Sequence, residues 1–130
     1  MSLVPAKQNS LEEMFALREE FMNTLIKKIP NYYPVWPVDI SQKQSQAVLR
    51  DSIIRGVEEV FESLAHLKNS KPHRQTDLPD FDRDAFLEET VDAYNYFFSV
   101  LVLLGVTPDE LMSSYKKKHE IIMKRIEDGY

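Results

Sequence analysis

A chain of 130 residues with 43% apolar content has the length for one packed core and falls short of two ordinary domains. Its 28% charged residues and three glycines exclude collagen-like and disordered classes, and the lack of cysteine excludes a disulfide framework, a thiolate metal site and thiol catalysis. A net charge of −5 lacks the basic footprint of a duplex nucleic-acid binder, yet leaves a polyphosphate ligand open, because a cation set between carboxylates and phosphates reverses the local sign of charge.

The first predicted element runs from about Ser10 to Lys28, where Leu11, Met14, Phe15, Leu17, Phe21 and Leu25 form an apolar stripe at helical spacing. No apolar stretch in the chain approaches the ~20 residues that span a bilayer, and Met1-Ser2-Leu3-Val4-Pro5 lacks a basic-then-apolar leader pattern. The expectation is a cytoplasmic protein with no membrane partner. Prolines 30, 34 and 37 forbid regular helix over the next stretch, which reads as an aromatic-rich loop carrying Tyr33 and Trp36.

A second helix is predicted from Ser41 as N-cap to about Lys68, with Val48, Ile53, Ile54, Val57, Val60, Phe61, Leu64 and Leu67 on its apolar face and a possible kink at Gly56. Residues 69–82 are polar and turn-rich and read as a surface connection. The third helix, about Arg83 to Leu104, is the most apolar and is expected at the centre, closed by Gly105. Thr107-Pro108-Asp109-Glu110 then reads as a capping box with proline in the first turn, opening a fourth helix to about Glu127. The sum is an all-α, four-helix domain spanning residues 1–130.

Two acidic clusters stand out. Glu58, Glu59 and Glu62 lie in the second helix, and Glu88, Glu89 and Asp92 repeat their spacing in the third. Charged residues at such positions are ordinarily a solvated helix face. Here Val57, Val60, Phe61 and Leu64 surround one cluster and Leu87, Val91 and Tyr94 flank the other, so both border apolar faces. Were the two helices to pack antiparallel, the carboxylates would meet across a seam, a costly arrangement unless cations neutralise them. Oxygen donors without cysteine select a hard ion, Mg²⁺ or Mn²⁺. A di-iron bundle would need Glu-x-x-His pairs, and the chain has none. His66, four residues after Glu62, reads as a surface or internally satisfied histidine.

Glu58-Glu59-Val60-Phe61-Glu62 followed by Glu89-Thr90-Val91-Asp92 resembles the EExxE…ExxD signature of the all-α nucleoside triphosphate pyrophosphohydrolases, a superfamily that includes MazG-like enzymes and dimeric dUTPases. The stretch from Phe86 to Gly105 and the tail residues Lys118, Arg125, Gly129 and Tyr130 are similar to the dimeric dUTPase branch, and the likeness covers roughly Leu11 to Tyr130. It implies a four-helix bundle with Glu59, Glu62, Glu89 and Asp92 as Mg²⁺ ligands, and the apolar third helix with its Tyr94, Tyr96, Phe97 and Phe98 predicts completion as a homodimer or higher homo-oligomer. Glu58 and Glu59 would be the catalytic carboxylates, and Lys118, Arg125, Tyr130 and Trp36 the substrate contacts. Where that branch carries amides for the base, this chain has Arg18, His119, Ile122 and Ile126. The expected activity is therefore hydrolysis of a (deoxy)nucleoside triphosphate to monophosphate and diphosphate, with dUTP a leading substrate. The rivals are a house-cleaning enzyme for another or modified base and a non-enzymatic helical interaction module.

Overall fold

The computed structural model describes residues 10–78 and 80–129. Its regular elements are four α-helices: α1 Leu11–Lys28, α2 Lys43–Leu64, α3 Arg83–Leu103 and α4 Pro108–Glu127. No strand occurs among the described residues.

Local chemistry accounts for most of the boundaries. The Ser10 hydroxyl accepts from the Glu13 amide at 3.0 Å, and Thr107 does the same for the Glu110 amide at 3.1 Å, each satisfying an amide that the helix leaves without a partner. Past α3, Gly105 takes φ +77°; its amide donates to the Val102 carbonyl and that of Val106 to the Leu101 carbonyl, the paired bonds of a Schellman ending. The start of α2 departs from the expectation. Ser41 does not cap it: its amide and hydroxyl both donate to the Asp39 carboxylate, at 3.0 and 2.6 Å, in a turn that precedes the helix, and α2 opens two residues later without a side-chain cap. Its end departs too: the amides of Ala65, His66 and Leu67 each reach back three residues, so α2 tightens into 3₁₀-type turns beyond Leu64.

Contacts divide the chain into two compact units. One takes the described residues up to Val38 together with those from Leu101 onward, and the other is Asp39–Val100. In the first, α1 lies against α4, Phe15, Met22, Val102 and Leu103 are buried, and the Val38 amide donates to the Leu103 carbonyl at 2.8 Å. A cis Trp36–Pro37 bond lies in its aromatic loop.

In the second unit α2 meets α3 at Gly56. A Cβ placed there would lie 2.5 Å from the Phe97 ring, so the glycine admits a neighbouring aromatic rather than kinking the helix, which runs unbroken. Leu49, Ala93 and Val100 are buried, as are Ser63, whose hydroxyl donates to the Val60 carbonyl, and Ser99. Most of the expected apolar face of α2 is not covered: Ile53, Ile54, Val57, Val60, Phe61 and Leu64 are exposed, Phe61 to 65%. Helical spacing put these side chains on the helix correctly but could not say what covers them.

Candidate functional site

The carboxylates gather in the second unit. Glu59 and Glu62 are one turn apart on α2, and Glu89 and Asp92 are one turn apart on α3, so each pair shares a helix face. One oxygen each from Glu59, Glu89 and Asp92 lies within 4.8 Å of the others. Glu62 joins the group through a hydrogen bond with the Glu59 carboxyl. Three of the four residues expected to hold a cation thus bring oxygens together from distant positions in the chain, and the fourth, Glu62, is exposed one turn along α2 from Glu59.

The electrostatic consequence falls on Glu59. Its carboxyl is pushed up from its usual 4.5 to about 7, first by the hydrogen bond with Glu62, which needs a proton on one partner, then by burial, then by the negative charges of Glu62, Asp92 and Glu89. A proton held between two carboxylates is what acidic groups adopt when no cation separates them.

Glu58 and Glu88 are exposed and stand outside the group of meeting oxygens. Each directly precedes a member of it, and one residue turns about 100° around a helix. An open cleft of about 500 Å³ lies along α3 beside the cluster, lined by Asp84, Leu87, Glu88, Val91 and Asp92, so Asp92 borders both the carboxylate group and solvent-filled space.

His66 was not singled out by sequence as part of the site. Its Nε2 lies 3.9 Å from Glu89 Oε1, with the two side chains 24% and 27% exposed. The spacing of Glu59 and Glu62 on α2 and His66 just past its end was the available signal, since intervals of three and four residues keep helical side chains on one face.

The remaining expected residues lie in the other unit. Trp36 is held by its indole N–H, which donates to Glu19 Oε2 of α1 at 3.0 Å, and it meets Tyr33 edge to face. With Tyr33 it lines a cleft of about 380 Å³ together with Asn23, Ile26, Asn31 and Val35. Arg18 lies over the Phe21 ring, 4.3 Å from its centre. Lys118 and Arg125 are exposed on α4, as are His119, Ile122 and Ile126. Tyr130 lies outside the described residues.

No protein-family model, no curated protein and no solved structure matches the chain. The chemistry open to it follows from its residues and their geometry. Among the described residues no single helix is long and apolar enough to cross a membrane.

Proposed function

We propose that this chain is a cytoplasmic, Mg²⁺-dependent nucleoside triphosphate pyrophosphohydrolase, converting a (deoxy)nucleoside triphosphate and water to monophosphate and diphosphate. The fold proposed with it is a four-helix bundle of the all-α pyrophosphohydrolase type, completed by dimerisation. The observation that carries the reading is the approach of Glu59, Glu89 and Asp92 from two helices to within 4.8 Å, with Glu62 one turn along α2 from Glu59. Carboxylates crowded together from two helices are a fit host for a cation, which offsets their mutual repulsion. An all-oxygen donor set favours Mg²⁺, with Mn²⁺ as substitute.

A cation bound there would polarise phosphoryl oxygens, lower the pKa of a bound water and offset charge on the departing diphosphate. The work of the chain itself is to hold and orient. Glu59, Glu62, Glu89 and Asp92 supply ligand oxygens on two rigid helices, and Glu58 and Glu59 are the candidates to accept the proton of the attacking water. Lys118 and Arg125 would contribute phosphate contacts, the arginine as a planar fork. Trp36 and Tyr130 would contribute contacts to the nucleoside.

The carboxylates engage only phosphates and so do not select a base. Of the polar residues that could replace the missing amides, Asn23 and Asn31 share the Trp36 cleft, which keeps dUTP among the candidate substrates. Dimerisation is supported by the uncovered apolar residues of α2, whose burial against a second copy would remove them from water. The same exposed face favours the second reading, a non-enzymatic helical module. A panel of canonical and modified deoxynucleoside triphosphates, followed by diphosphate release and product chromatography with and without Mg²⁺, separates the two. Monophosphate and diphosphate formed only with the cation support the enzyme; no turnover across the panel sinks it. A preference for dUTP above about a thousandfold over the other substrates would mark a dUTPase, since discrimination on that scale requires polar groups matched to the base.

A further inference from the structure

We infer that His66 is a positioning residue for the carboxylate site, steadying Glu89 so that one of its oxygens stays turned toward Glu59 and Asp92. The inference rests on the reading of that cluster as a cation site. Three observations support it. First, Glu59 on α2 and His66 just past its end both approach carboxylates of α3, at a spacing of seven residues that keeps side chains near one face. Second, the 3₁₀-type tightening beyond Leu64, with the His66 amide donating to the Ser63 carbonyl at 3.1 Å, keeps this residue on the helical path although α2 proper has ended. Third, the imidazole brings a nitrogen to the edge of the cluster: its Nε2 stands 3.9 Å from Glu89 Oε1, and both groups are about three-quarters buried.

The chemistry of that contact is specific. A ligand carboxylate that rotates freely loses entropy when it binds a cation, whereas one already held by an N–H donor has made that adjustment beforehand. An imidazole beside Oε1 limits rotation of Glu89 while the carboxylate keeps an oxygen near Glu59 and Asp92. The separation of 3.9 Å exceeds a hydrogen bond and closes to one with a small turn of either side chain. His66 touches neither substrate nor the reacting atoms and acts only through Glu89.

Binding of Mn²⁺ alone to the full chain tests this, followed by the loss of the free-ion paramagnetic resonance signal, in wild type, His66→Ala and His66→Gln. Glutamine keeps an N–H donor near the place of Nε2, whereas alanine removes it. The expected result is Mn²⁺ affinity weakened about 10- to 100-fold in His66→Ala, restored to within a few-fold of wild type in His66→Gln, with similar melting temperatures for the metal-free proteins. Wild-type affinity in His66→Ala overturns the inference. Equal weakening in both variants overturns it as well, because the loss would then follow from packing and not from the donor. Failure of the wild type itself to bind Mn²⁺ would instead remove the cation site on which the inference stands, so the two failures are told apart by the wild-type titration.

Discussion

Replacing Glu59 with glutamine should make the metal-free protein more stable near pH 8, although the residue is the centre of the proposed site. In the folded chain the Glu59 carboxyl is pushed up from 4.5 to about 7, whereas in the unfolded chain it would titrate near its usual value. Between those pH values the folded state therefore holds a proton that the unfolded state has given up, and stability falls as pH rises through this window. Above it the full cost of ionising Glu59 among Glu62, Asp92 and Glu89 is felt. At ~1.4 kcal/mol per pH unit the ceiling is about 3 kcal/mol, and water screening of a partly exposed group reduces it to on the order of 1–2 kcal/mol. For a domain of this size that is a change in Tm of roughly 3–10 °C. The amide introduced by Glu59→Gln can donate to Glu62 as the protonated acid does, and it carries no charge at any pH.

Thermal melts followed by circular dichroism in chelator, at pH 5.5 and pH 8, test this reasoning. The gap between variant and wild type should be only part of its full size at pH 5.5, which lies inside the window, and widest at pH 8, and comparing the two proteins cancels the general titration of an acidic chain. Adding Mg²⁺ at pH 8 should raise the wild-type Tm and leave the variant's nearly unchanged. A variant no more stable than wild type at pH 8 in chelator, or an equal response of both to Mg²⁺, would refute the crowding argument.

Glu62→Gln and Asp92→Asn should each nearly abolish turnover while retaining wild-type helical content, since each removes a candidate ligand oxygen at nearly constant volume; full activity in either would overturn the site assignment. Gly56→Ala should lower stability by on the order of 1 kcal/mol, because pushing back the Phe97 ring, now 2.5 Å from where the new Cβ would lie, costs more than the ~1 kcal/mol that alanine contributes to a helix. Relief of that loss in Gly56→Ala/Phe97→Leu, measured by denaturant melts as a double-mutant cycle, would assign it to this contact; a stabilised Gly56→Ala would refute it. Phe61→Lys should shift the sedimentation coefficient from dimer toward monomer at micromolar concentration, and a monomeric wild type would count against the dimer proposal.

Much of the local structure was legible in the residues themselves. Ser10, Thr107-Pro108 and Gly105 mark helix ends through interactions with amides and carbonyls only a few positions away, and they stand where short-range chemistry requires. Ser41 misled because Asp39, two residues before it, offered a charged acceptor that competes with the helix N-terminus for its hydroxyl. The carboxylate spacing predicted which residues could share a face. Helix periodicity fixes angles about one axis and carries no information about the neighbouring axis. The approach of Glu59 to Glu89 and Asp92, the fit of Phe97 against Gly56 and the place of His66 beside Glu89 were decided by how α2 and α3 pack. The same limit explains why Ile53, Val57 and Phe61 read as core in the sequence and stand exposed in the single chain: apolar spacing says that a face needs covering, and only tertiary structure supplies or withholds the cover.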